Sequence, residues 1–143
     1  MNRSDHVLAG LATAGTEPWS PVQVQKLFFL VDQRLESHLG GRAFQFEPYD
    51  YGPFDPAVYH EINELADHGL ATVSRPAFER RTYALTEPGR ARGEAILENQ
   101  SEVVRTSIRA LAAWVRALSF KQLVTAIYAE FPDMKARSVF RGE

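Results

Sequence analysis

Cysteine is absent from the 143 residues, which excludes disulfides, thiolate catalysis and cysteine-ligated zinc together. Long apolar runs are missing too. Each one, Leu27 to Val31 among them, falls far short of the roughly 18 residues a membrane-spanning helix needs. Arg3, Asp5 and His6 at the start do not fit a secretory leader. There is no glycine-rich phosphate loop, no serine in a nucleophile elbow, and no carboxylate pair that stands apart from ordinary helix surface. These absences predict a cytoplasmic protein with no membrane segment, no cofactor and no enzymatic site.

What is present suits a globular chain. With 45% hydrophobic and 24% charged residues, it is large enough to bury a core without covalent staples. The charge is divided unevenly: residues 1–70 carry four Lys or Arg against ten Asp or Glu, and residues 71–143 carry twelve against eight. An acidic first half argues against a polyphosphate partner there.

Helix starts are written clearly. Ser4 is placed to cap a short helix with Val7, Leu8 and Leu11 on one face. Ser20-Pro21 and Asp55-Pro56 each set a cap before a proline, whose fixed φ suits the first helical position. The helix after Ser20 is apolar at Val24, Leu27, Phe28, Val31 and Leu35, and Phe29 and Leu30 widen the stripe to most of the circumference. That predicts a central helix covered on several sides, ended by Gly40-Gly41. The helix after Asp55 turns Val58, Ile62, Leu65 and Ala66 inward and stops at Gly69. Ala71 to Val73 and Arg81 to Leu85 are predicted strands joined by a polar loop containing Pro76. Thr86 caps a long helical stretch with a seam of Leu97, Val104, Ile108, Leu111, Val115 and Leu118. Ser119 starts a last helix with a stripe of Phe120, Leu123, Val124, Ile127, Tyr128 and Phe131.

Three helices, a hairpin and a further helix give the order of a winged helix-turn-helix. The predicted fold is therefore mainly α with a small β-hairpin: a winged-helix core over residues 1–87, with C-terminal helices over 88–143 packed on that core or on a second protomer. A single helix from Glu87 to Leu118 would be about 45 Å long at 1.5 Å per residue, more than the core can cover. Fold-back together with a homodimer contact is the expectation.

The passage Tyr59-x-x-Ile62-x-x-Leu65-x-x-x-Gly69-Leu70, followed by Tyr83-x-Leu85-Thr86-x-x-Gly89-Arg90, resembles the helix-to-wing passage of PadR- and MarR-like regulators. A longer resemblance covers about residues 20–90. Lys26-Leu27-Phe28-Phe29-Leu30, then Phe46-x-Pro48-Tyr49-x-Tyr51-Gly52-Pro53-Phe54, then Val58-Tyr59, is similar to the Panacea domain, typified by SocA-like antitoxins, and to the YwgA-type family. The aromatic-dense turn is closer to the YwgA type. The Panacea likeness implies a compact helical fold serving as an antitoxin or adaptor.

Eight of the sixteen aromatics fall within residues 28–59. Around Tyr49-Asp50-Tyr51-Gly52-Pro53 they either fill the core between the second and third helices or present Tyr49 and Tyr51 as interface anchors. If the segment is extended, Phe46, Asp50 and Phe54 face one side and Tyr49 and Tyr51 the other. Glu47, Asp50 and Asp55 would rim such a patch and favour a basic partner. Lys26 either snorkels to water or pairs with Asp50 or Glu47. His6, His38, His60 and His68 offer no metal spacing, and His60, Glu64 and His68 form a solvated helix face. For DNA, the third helix offers His60, Glu61, Asn63, Glu64, Asp67 and His68, a poorly basic set. The wing offers Arg75, Arg80 and Arg81. Two functions follow: a non-catalytic protein-interaction module, or a dimeric winged-helix regulator that grips DNA through the wing.

Overall fold

Each cap-plus-proline signal opens a helix in the computed structural model, which describes residues 1–13, 15–75 and 80–142. The elements in order are α1 Arg3–Leu11, α2 Pro21–Leu39, β1 Glu47–Tyr49, β2 Gly52–Phe54, α3 Pro56–Asp67, β3 Ala71–Ser74, β4 Thr82–Leu85, α4 Glu87–Glu98, α5 Glu102–Ala117 and α6 Phe120–Glu130, with a short 3-10 turn at Pro132–Lys135. The protein is mainly helical, with two antiparallel hairpins, β1–β2 and β3–β4. Among the described residues, no helix is long and apolar enough to cross a membrane.

Ser20 and Gln23 form a reciprocal capping box at the start of α2, and Asp55 caps α3 through Ala57 N–H. The first helix departs from the sequence reading. Asn2, two residues earlier than Ser4, accepts from Asp5 N–H while the Asp5 carboxylate accepts from Asn2 N–H. That reciprocal pair satisfies two orphan amides at once, which Ser4 alone could not do.

Every residue from Val24 to Asp32 on α2 is buried, as is Leu35, so α2 is the central helix that its all-round apolar pattern predicts. Between α1 and α2, Trp19 forms an isolated bridge with Tyr83 of β4, through Trp19 N–H to the Tyr83 carbonyl at 2.7 Å and the reverse bond at 2.9 Å. This one-residue strand extends the β3–β4 wing back beneath the first connection, completing the winged-helix order of α1, bridge, α2, α3 and wing. One insertion distinguishes it. A helix-turn-helix usually joins its two helices by a 3–4-residue turn, whereas here residues 40–55 intervene and carry β1–β2.

The long C-terminal helix is two helices. Asn99 ends α4, and Ser101 caps α5 by accepting from Val104 N–H. No glycine or proline marks this break; the serine cap is its only local signal. The seam residues Leu97, Val104, Ile108 and Val115 are buried within the chain, α4 lying on α1 and α5 on α2. Leu111 and Leu118 are half-buried, and Ala112 takes the inward position beside Ile108. The helices of 88–143 therefore share one core with α1 and α2, and the seam needs no second protomer to cover it.

The α1–α4 crossing is close because α4 is bare there. A Cβ on Gly93 would stand 2.3 Å from the Leu8 carbonyl oxygen; elsewhere on α4, one on Gly89 would stand 1.9 Å from the carbonyl oxygen of Leu70, between α3 and β3. Backbone approaches backbone at both points, so only glycine fits.

Candidate functional site

The inserted segment is fastened to the central helix by buried polar groups. Asp32 of α2 accepts from the Ala43 and Phe44 amides at 2.9 and 3.0 Å, and burial pushes its carboxyl upward against those two bonds. Gln25 is bonded to the backbone of Asp55 in both directions, each bond 2.9 Å long. The Asp55 carboxylate accepts from Gln45 N–H and Ala57 N–H. Asp55 is thus a buried joint and does not rim a surface patch, contrary to its expected place among exposed acids. At the far end, the Asp50 carbonyl accepts from Val139 N–H at 2.9 Å and from the Ser138 hydroxyl at 3.2 Å, and Tyr128 donates to that hydroxyl. The hairpin is held at both ends.

Its register pairs Glu47 with Phe54, Pro48 with Pro53 and Tyr49 with Gly52, leaving Asp50-Tyr51 as a two-residue turn. Gly52 has φ +108°, a conformation that glycine supplies without strain. The chain reverses here, so the alternation expected of an extended segment fails. Tyr49 and Phe54 share a face and stack at 4.7 Å, while Tyr51 meets Phe120 edge-on at 5.1 Å. The two candidate anchors therefore separate: Tyr49 is 50% exposed, and Tyr51 is half-buried against α6. Pro53 is buried and Asp50 half-buried.

Lys26 neither snorkels nor pairs with an acid. It is 3% exposed, and its Nζ donates to the Pro53 carbonyl at 3.3 Å. Burial alone brings it from 10.5 down to about 7. The reason lies in the hairpin, which closes over the first turns of α2 and blocks the route by which the stem would reach water. A cavity of about 210 Å3 remains between them. Its walls are Pro21, Val22, Gln25 and Lys26 of α2, the hairpin from Tyr49 to Gly52 with Phe54, Tyr59 of α3, and Arg80.

No family model, curated protein or solved structure matches the chain.

The face expected for nucleic acid carries its acids on α3 and its cations in the wing. On α3 the side chains of His60, Asn63, Glu64, Asp67 and His68 are exposed. Glu61 is half-buried, its carboxyl pushed up first by burial and then by Glu64. In the wing, Arg75 and Arg80 are exposed and Arg81 is half-buried; Arg81 lies 5.2 Å from the Tyr59 ring and Arg80 lies 5.9 Å from that of Phe120. Both guanidiniums lie over aromatic rings and keep their charge. Pro76 and the rest of the wing tip lie outside the described residues.

The sequence reading missed Gln25, Asp32 and the tail residue Ser138. The first two had a visible signal, since a polar residue on a helix apolar all round has to find a partner or leave the core. Ser138 had none.

Proposed function

We propose that the chain is a non-catalytic protein-interaction module of the Panacea/YwgA type, an antitoxin or adaptor, that receives its partner on the β1–β2 hairpin. The observation that carries this reading is Tyr49, a half-exposed ring stacked on Phe54 at the crest of a hairpin pinned at base and tip. A rigid, pre-positioned amphipathic ring is the kind of group that dominates interface energetics, because little entropy is lost when it is covered. Exposed Glu47 and half-buried Asp50 flank it, which favours a basic partner surface.

Tyr49→Ala should leave the melting temperature nearly unchanged and weaken binding of a captured partner by about 2 kcal/mol, roughly thirtyfold. Tyr51→Ala should instead lower stability by about 1–3 kcal/mol, because it removes the contact with Phe120. Titration of the partner against both variants, alongside their thermal melts, checks the pair. If Tyr49→Ala binds as tightly as the parent, the hairpin is not the docking face.

A second reading, a winged-helix regulator bound to DNA, is favoured by the element order and by exposed Arg75. The acids of α3 oppose it. Binding to random duplex at physiological salt is expected to be weak and to fall further when Arg75, Arg80 and Arg81 are all replaced by alanine. Fluorescence anisotropy measures it, and tight sequence-selective binding that survives the triple change would overturn the protein-partner reading.

A further inference from the structure

Lys26 carries chemistry that partner docking leaves unused. The other two lysines of the chain, Lys121 and Lys135, are exposed. The Lys26 nitrogen has one long bond, to the Pro53 carbonyl, and no carboxylate at ion-pair distance among the described residues. A protonated lysine has three N–H donors to satisfy, and a buried charge without a counter-charge is costly. A neutral amine in the same place uses one N–H on Pro53 and keeps its lone pair available to an electrophile. Lys26 also borders a cavity. At about 210 Å3 it exceeds the roughly 150 Å3 that suffices to take a benzene ring in a protein interior.

We propose that this cavity is a carbonyl-binding site in which Lys26 Nζ condenses with a small aromatic aldehyde or ketone to form an imine. Tyr49, Tyr51, Phe54 and Tyr59 supply its aromatic lining, suited to edge and offset contacts with a planar ligand. The step balances without a co-reactant. The nitrogen lone pair attacks the carbonyl carbon, and one amine proton passes to the former carbonyl oxygen. The second amine proton then leaves with that oxygen as water, while the C=N bond forms. A Cβ on Gly52 would stand at ordinary van der Waals contact, 3.5 Å, from Nζ, so the hairpin backbone forms the wall facing the amine. The lowered proton affinity of Lys26, to about 7, leaves about half of it neutral at pH 7, against about one in a few thousand for an ordinary lysine. Such desolvated lysines are the ones that form Schiff bases.

The test uses the unaltered protein. Benzaldehyde with sodium cyanoborohydride at pH 7 reduces each imine to a stable benzylamine, and peptide mass mapping assigns the label among the three lysines. Lys26 should be labelled at least about tenfold faster than Lys121 or Lys135, on the strength of its neutral fraction. In denaturing urea that preference should vanish. Equal or slower labelling of Lys26 in the folded protein overturns the proposal. So does a preference that persists in urea, because it would belong to the local sequence and not to the cavity.

Discussion

Lys26→Met should make the protein more stable at pH 6 to 7, by about 2–4 kcal/mol, with the gain shrinking towards pH 10. An unfolded chain holds the Lys26 proton up to 10.5, whereas the folded protein releases it near 7. Between those values the unfolded state binds more protons, so the stability of the parent protein rises with pH across that window. Below about pH 7 both states are charged, and the full burial penalty is present. At about 1.4 kcal/mol per pH unit the upper bound is about 4–5 kcal/mol, which relaxation around the amine reduces. Methionine fills a similar volume with no charge to desolvate, so the variant should show a flat profile where the parent climbs. Urea titrations of both proteins from pH 6 to 10 measure the difference. The range stops at 10 because burial raises Tyr59 to about 12 and Tyr83 and Tyr128 upward, and these groups remove stability above that point. On the acid side both proteins should weaken together as pH falls from 6.5 to about 4, since His6 is buried with its Nδ1 unpartnered among the described residues and lowered to about 4. A variant less stable than the parent at every pH would show that the Lys26 amine is a net stabiliser.

Gly93→Ala should lower stability by about 3 kcal/mol or more, against the usual sign. In an exposed helix interior the same change gains up to about 1 kcal/mol, because alanine restricts the unfolded chain and favours the helix. Here the added methyl would meet the Leu8 carbonyl oxygen at 2.3 Å and the Ala12 Cβ at 2.6 Å. Neither is the end of a flexible side chain, so α1 has to move bodily away from α4. That movement would open the contact that joins residues 88–143 to the first helix, and overpacking of this kind has no rotamer solution. A melting temperature about 10 °C below the parent is expected for a chain of this size. A rise in melting temperature would mean that the two helices are less closely apposed.

The fold was legible where chemistry at single positions dictates geometry. Ser20-Pro21, Asp55-Pro56, Thr86 and Ser119 each open a helix, because the missing amide of proline and the free oxygen of a cap suit one place in a helix and few others. The apolar girth of α2 announced its central position for a similar reason. The break after Asn99 was not legible: a helix that continues and one that stops at a serine cap differ little in local preference, and the packing of α4 on α1 and α5 on α2 decides between them. The hairpin was half legible. Its residues stood out as aromatic, but the two-residue turn that gives Tyr49 and Tyr51 different ring partners depends on the pairing of Glu47 with Phe54. Lys26 failed in an instructive way. Snorkelling and ion pairing both assume that the side chain reaches polar surroundings, and whether the hairpin closes that route is a property of the tertiary fold.

The Ser138 hydroxyl sits at the meeting point of three hydrogen bonds, accepting from Tyr128 and from the Phe140 amide and donating to the carbonyl of Asp50. Residues 50 and 138 are far apart in the chain, yet they share one small hub, and a chain that altered the hairpin would need to rewrite its tail at the same time. Hairpin and tail are thus one unit of inheritance. Drift in the length or pitch of the hairpin is constrained from outside it, while the crest at Tyr49, which the hub does not touch, is left free of that constraint.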